Sequence, residues 1–121
     1  MSKTALVVDD SVSMRQMVSF ALQSAGFNTI EGGNGVEALA VSQNKSVDLV
    51  VTDLNMPEMD GITLVKELRS RDAFKFTPIL LLTTESQDAK KQEGKAAGAT
   101  GWMVKPFNPE QLLSVVKKVV R

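Results

Sequence analysis

Five side chains that could do chemistry together stand directly after short apolar runs of the sequence. They are three carboxylates, a hydroxyl and an ammonium group, from Asp9, Asp10, Asp53, Thr83 and Lys105. Neighbouring carboxylates repel one another unless a cation lies among them, and one lysine cannot neutralise three. The chain has no histidine and no cysteine, so a bound metal would have oxygen ligands only. This donor set favours a hard cation such as Mg2+.

The elements that would bring these side chains together are predicted from the hydrophobic pattern. Apolar runs at residues 5–8, 27–30, 47–52, 79–82 and 102–104 are typical of strands. Helix-period segments follow each run, so the pattern predicts an α/β fold with a parallel sheet between two helical layers. Right-handed crossovers place the carboxyl ends of all strands at one edge, where ligands bind in such sheets. All four polar segments therefore converge there.

Each polar residue alone has an ordinary structural explanation. The Asp9-Asp10 pair could cap a helix, Asp53 could serve a turn, and Thr83 could be a strand hydroxyl. A Lys-Pro pair is common in loops. The functional interpretation depends on their joint position at one sheet edge.

Several turn signals set the helix boundaries. Gly26 suits the end of the first helix, Asn34 with Glu37 resembles a capping box for the second, and Asn108-Pro109 starts the fifth. The fourth helix, residues 86–98, is polar and contains Gly94. Because a glycine inside a helix costs about 1 kcal/mol relative to alanine, we expect this helix to be the least firmly held.

Composition excludes several classes of function. Without histidine there is no Ser-His catalysis and no phosphohistidine carrier. The formal charge is zero, which argues against a nucleic-acid partner. No apolar run is long enough to span a membrane, and no secretory signal is evident. The sequence therefore predicts one cytoplasmic domain, residues 1–121, without a separate output domain.

The motif set resembles the receiver domain of bacterial response regulators, and among them the chemotaxis type. The matching segments are VVDDS at residues 7–11, TDLNMPEMDG at 52–61, LTTE at 82–85 and VKPF at 104–107. The resemblance spans essentially the whole chain. It implies a flavodoxin-like, doubly wound five-stranded sheet in the order 2-1-3-4-5 with five helices.

The resemblance also implies a role for each site residue. Asp53 would be the nucleophile that becomes an aspartyl phosphate. Asp10 would ligate Mg2+ directly, Asp9 would assist through water, and the backbone carbonyl of Asn55 would complete the protein ligands together with Asp53. Thr83 and Lys105 would each contact a phosphoryl oxygen.

Other residues would tune the response. Asn55 and Glu85 would set how fast the acyl phosphate hydrolyses, and the Lys105-Pro106 peptide bond would be cis. Gly61 would supply a permissive backbone after the Met59-Asp60 turn.

The effect of phosphorylation would be transmitted to the binding surface through Thr83 and a neighbouring aromatic residue. In the family this aromatic is usually Tyr or Phe, whereas here it is Trp102, whose indole N–H wants a partner when buried. The binding face would comprise the fourth helix, fifth strand and fifth helix. It would carry Lys90, Lys91, Lys95, Lys117, Lys118, Arg121 and Trp102, a basic surface that suits an acidic peptide.

These features predict a monomeric signalling protein that catalyses only its own phosphorylation and dephosphorylation. A chemotaxis-type histidine kinase would donate the phosphoryl group, the flagellar motor switch would be the target, and an auxiliary phosphatase could assist. A phosphate sink or phosphorelay intermediate would have the same motifs. A haloacid dehalogenase-type phosphatase is disfavoured, because it needs a second aspartate where Asn55 stands. An inert binding module is disfavoured because the site is complete.

Overall fold

The computed structural model describes residues 3–84 and 88–120 as a five-stranded parallel sheet flanked by helices. The strands are β1 (Lys3–Val8), β2 (Phe27–Gly32), β3 (Leu49–Asp53), β4 (Ile79–Thr83) and β5 (Gly101–Val104). Their order is β2-β1-β3-β4-β5, which confirms the predicted doubly wound topology. In this part of the chain no helix is long and apolar enough to cross a membrane.

The helices are α1 (Val12–Ser24), α2 (Gly35–Val41), α3 (Gly61–Arg69), α4 (Asp88–Ala97) and α5 (Pro109–Val119). They form two layers, because alternate strand residues enter different apolar clusters. Ala5 and Val7 of β1 join the cluster with α1 and α5, and Leu6 and Val8 join the cluster with α2 and α3. The central strands β3 and β4 are buried along their whole length. Because both faces of these strands are covered, their carboxyl ends are held in place at the sheet edge.

The predicted helix boundaries agree closely with the structure. Gly26 follows the C-cap of α1 with φ +98°, and Asn108 forms a complete capping box with Gln111 at α5. At α2 the box is altered. The Asn34 side chain accepts from the Glu37 N–H, but the Glu37 carboxylate accepts from the N–H of Gly33 instead of Asn34. A short 3-10 helix at Asp72–Phe74 was not predicted.

Gly61 is required by close approach and not by an unusual backbone angle. A Cβ at this position would lie 2.3 Å from the Asp53 carbonyl oxygen and 2.9 Å from the Leu54 Cα. The Gly61 N–H also donates to the Leu54 carbonyl at 2.8 Å. The permissive backbone expected from the sequence was therefore the wrong reason. The residue of this loop with a left-handed backbone is Glu58, at φ +69°.

Arg69, at the end of α3, connects α3 to the segment that follows α4. Its Nε and Nη2 atoms donate to the Gly98 carbonyl at 3.0 and 2.8 Å, and its Nη1 donates to the Phe74 carbonyl. Burial lowers the pKa of this guanidinium from its ordinary value. Gly98 has φ +111°, and a Cβ there would lie 3.0 Å from the arginine stem. The end of α4 is thus fixed to the body of the domain.

Candidate functional site

The polar residues predicted from the sequence meet at the carboxyl edge of the sheet. Asp53 ends β3 and Thr83 ends β4, while Asp9 and Lys105 directly follow β1 and β5. One carboxylate oxygen from each of Asp9, Asp10 and Asp53 lies within 4.8 Å of the others. The strand ends therefore assemble the cluster without help from a long loop.

Lys105 is the cation within this cluster. Its Nζ lies 3.3 Å from Asp9 Oδ2 and 3.2 Å from Asp53 Oδ1. Asp53 Oδ1 also accepts the N–H of Leu54 at 2.9 Å. Both carboxylates are almost fully buried, with 2 % of Asp9 and 6 % of Asp53 exposed. A buried carboxylate needs such partners, since an unpaired one would be costly.

The pKa of Asp53 is raised above its ordinary value of 3.8. Burial is the largest cause, followed by repulsion from Asp9, and the nearby Lys105 ammonium only partly opposes them. The site therefore holds more negative charge than its own lysine can balance. An added cation would relieve that imbalance.

The donor set fits Mg2+. Asp9 is buried and held in orientation, since its Oδ1 accepts the Ser11 N–H at 2.9 Å. Asp10 is exposed toward solvent, which leaves room for water, and magnesium usually keeps several water ligands. Asn55 lies exposed just after β3, where its carbonyl could complete an all-oxygen set.

Thr83 and Lys105 are coupled through the backbone. Thr83 is fully buried, and its carbonyl accepts the Lys105 N–H at 2.7 Å. The Lys105-Pro106 peptide bond is cis, as the resemblance implied. Glu85 lies outside the described residues, so its predicted role has no structural counterpart here.

Trp102 packs inward, against the apolar cluster of α2 and α3. Its Nε1 atom is buried and has no hydrogen-bond partner, so the acceptor expected for a buried indole is not found in the described part of the chain. Gly94 of α4 provides the space: a Cβ there would lie 3.3 Å from the indole Cζ3 and 2.8 Å from Leu81 Cδ1. The unfavourable mid-helix glycine thus accommodates the large aromatic ring.

The basic surface is divided between two faces. Lys91 and Lys95 line a cavity of about 200 Å3 beside Trp102, in agreement with the predicted binding face. Lys117 instead lines a groove between α5 and the α1–β2 side, with Ala25 and Phe27. Glu110 and Ser114 line both this groove and a cavity on the β5 side of α5, so the position of Lys117 on the predicted face stays a prediction. Arg121 lies outside the described residues.

Arg15 of α1 is a neighbour of the site that the sequence did not indicate. Its Nη1 donates to the Asp9 carbonyl at 2.8 Å, and its Nε donates to Glu31 at 2.9 Å. In the sequence it resembles any arginine on the polar side of an amphipathic helix. Only the loop geometry places it against the aspartate pair.

Gly94→Ala tests the fit between α4 and the indole. Alanine stabilises a helix by about 1 kcal/mol relative to glycine. At this position, however, its methyl group would press on Leu81 and Trp102. We expect a red-shifted Trp102 emission with stronger acrylamide quenching, and no gain in melting temperature. Adding Trp102→Phe to Gly94→Ala should recover part of the helix-propensity gain, since the contact with Leu81 remains.

Glu93→Ala, at an exposed position of the same helix that does not line the cavity beside Trp102, is the control and should leave the emission unchanged. A Gly94→Ala protein that is more stable and spectroscopically unaltered would contradict the proposed fit.

Asp53→Asn tests the electrostatic imbalance in metal-free buffer. Because the folded-state pKa of Asp53 is raised, folding is favoured below its ordinary value of 3.8 and that contribution is lost as pH rises through the folded pKa. Removing the carboxylate should therefore raise the unfolding midpoint in urea at pH 7, and the gain should shrink toward pH 4. A pH-independent gain, or a loss at pH 7, would contradict this expectation. Asp72→Asn, at an exposed position, is the control.

Comparisons with known proteins agree with this geometry. The family model for the response regulator receiver domain matches residues 5–117. Chemotaxis protein CheY1 of Helicobacter pylori is 39% identical over 117 residues, which is 95% of this chain and 94% of that protein. The crystal structure of Vibrio cholerae chemotaxis protein CheY4 is 52% identical with a TM-score of 0.96, covering 99% of this chain and all of that one.

Relatives of another kind are about twice as long. The phosphate regulon transcriptional regulatory protein PhoB of Pseudomonas aeruginosa is 34% identical over 119 residues, 98% of this chain but 52% of PhoB. The chain likewise spans half of PhoP of Bacillus subtilis. The shared unit in both groups is the domain described above. The chain therefore belongs to the response regulator receiver domain family of two-component signalling.

Proposed function

We propose that this receiver domain takes a phosphoryl group onto Asp53 from a histidine kinase of the chemotaxis type, with Mg2+ bound at the carboxylate cluster. The observation that carries the proposal is the position of Lys105 Nζ, 3.2 Å from Asp53 Oδ1 and 3.3 Å from Asp9 Oδ2. The ammonium group of Lys105 orients one Asp53 oxygen and partly neutralises the negative charge of Asp53 and Asp9. The remaining excess of carboxylate charge supports the binding of a metal ion.

Each residue has a distinct part in the transfer. An Asp53 carboxylate oxygen forms a bond to phosphorus as the P–N bond of the donor phosphohistidine breaks, and the released imidazole takes a proton from solvent. Lys105 and Thr83 hold two of the three phosphoryl oxygens. Asp9, Asp10, Asp53 and the Asn55 carbonyl would hold Mg2+, which would supply charge neutralisation at the transferred group when bound. The protein thus contributes mainly positioning and electrostatics.

The same site would return the phosphoryl group to water. Asn55 lies two residues beyond Asp53 and is exposed to solvent, so we infer that it influences the approach of water to the acyl phosphate. Glu85 is proposed for the same role from its sequence position. Both residues match the chemotaxis type, so we expect fairly rapid self-dephosphorylation, with the domain acting as its own phosphatase once per phosphorylation.

Phosphorylation adds roughly two negative charges beside Thr83. Thr83 is buried, and its carbonyl holds the Lys105 backbone, three residues after Trp102. We propose that the change passes along this segment to the α4–β5–α5 face. The similarity to chemotaxis proteins supports the flagellar motor switch as the target and the cytoplasm as the location. We further propose that an auxiliary phosphatase assists dephosphorylation.

Incubation with acetyl phosphate, followed by intact mass measurement, tests the chemistry. We expect one phosphoryl adduct that requires Mg2+, decays on standing and is absent from Asp53→Asn. Asp60→Asn is the matched control, because Asp60 is an exposed N-cap aspartate seven residues away in the sequence. An adduct that survives the Asp53 substitution would show that the nucleophile is misassigned.

Binding to a flagellar motor switch protein, with and without acetyl phosphate and Mg2+, separates motor control from a phosphate sink. We expect phosphorylation to tighten binding about tenfold, within the usual range of coupling between two sites. Asp53→Asn should show only the weaker affinity. Equal affinity in both states, or no binding in either, would favour the sink or relay function.

A further inference from the structure

We propose that Arg15 is a positioning residue for magnesium, because it fixes the peptide that joins Asp9 to Asp10. The inference rests on the proposed magnesium site and concerns a residue to which the receiver motifs assign no role. It begins from one contact, the 2.8 Å hydrogen bond from Arg15 Nη1 to the Asp9 carbonyl oxygen. That carbonyl belongs to the peptide bond between the two aspartates.

The remaining contacts of Asp9 leave this peptide as the adjustable element. Its N–H donates to the Gly32 carbonyl at 3.2 Å, which continues the β1–β2 ladder. Its carboxylate is held by the Ser11 N–H and by Lys105 Nζ. The carbonyl direction then decides where the next Cα lies, and so where the Asp10 carboxylate points. Arg15 is the side chain that sets this direction.

Arg15 itself is held on its other side. Its Nε donates to Glu31 Oε1 at 2.9 Å, and 19% of the arginine side chain is exposed. Gly33 lies beside it, where a Cβ would come within 3.4 Å of Nη1. A planar guanidinium can make both bonds in a fixed direction, which a lysine ammonium cannot do in the same way. The β2 strand end thus anchors the arginine that orients the β1 strand end.

Electrostatics and positioning predict opposite signs. Arg15 carries a positive charge near a cation site, so its removal by electrostatics alone would tighten Mg2+ binding. If Arg15 acts by orienting the Asp9–Asp10 peptide, its removal weakens binding instead. Loss of an outer partner of a metal ligand typically costs tenfold or more in metal affinity.

The experiment is a titration of the whole chain with MgCl2 followed by amide chemical shifts. Arg15→Met should raise the Mg2+ dissociation constant about tenfold, and it should shift the Asp10 amide nitrogen even without metal. Arg15→Gln should do the same, and it replaces the methionine variant if that protein does not fold. Glu31→Gln leaves an amide oxygen that can still accept from Arg15 Nε, so Arg15 should keep its bond to the Asp9 carbonyl and the Mg2+ affinity should stay close to that of the parent.

Arg71→Met is the matched control for a lost arginine–carbonyl bond. Arg71 follows the C-terminal end of α3 and donates to the Leu39 carbonyl of α2. Its substitution should therefore not change Mg2+ affinity. Unchanged or tighter binding in Arg15→Met, or equal weakening in Arg71→Met, would overturn the inference while leaving the magnesium site intact. A parent protein that binds no Mg2+ would remove the site and the inference together.

Discussion

Crowding of negative charge at one sheet edge is the constraint on which the rest of the structure depends. Three carboxylates meet within 4.8 Å, and Lys105 bridges only two of them. Such an arrangement is costly unless each charge is paired and hydrogen-bonded, so the rest of the fold has to hold the carboxylates in place. Two fully buried strands supply that rigidity: β3 carries Asp53, and β4 lies beside it. The close approach of α3 at Gly61 further fixes the Asp53 carbonyl. The stability of the rest of the fold therefore offsets the repulsion among the carboxylates at this edge.

The parallel sheet and the meeting of the polar residues at one edge were predictable because strong local signals and topology agree, whereas the strand order came from the resemblance to receiver domains. Buried runs, capping residues and strand ends are all encoded within a few neighbouring positions, as Asn108 and Gly26 illustrate. Features that depend on contacts distant in sequence were not predictable. The steric reason for Gly61, for example, is the close approach of the Asp53 carbonyl and the Leu54 backbone. Arg15 was missed for the same reason, since its partner is a backbone carbonyl and leaves no trace in side-chain patterns.

The unusual aromatic residue shows how a substitution is accommodated. Trp102 is larger than the tyrosine or phenylalanine typical of the family, and its buried N–H lacks an acceptor among the described residues. A buried unpaired donor costs about 1–3 kcal/mol, and a mid-helix glycine adds to that cost. Gly94 nevertheless gives the ring its place beside Leu81. The glycine of α4 and the indole of Trp102 thus form one packing arrangement.

The shortness of β5 has an evolutionary consequence. Its four residues include Trp102, and the next residue, Lys105, enters the carboxylate cluster. With the proposed α4–β5–α5 output face, a mutation in this strand would affect partner binding and the position of Lys105 together, so natural selection on either property would restrain both. Partner choice can diverge freely only where the surface is separate from the reacting groups, on the exposed sides of α4 and α5. Lineages that acquire new targets should record that history in these two helices while β5 changes little.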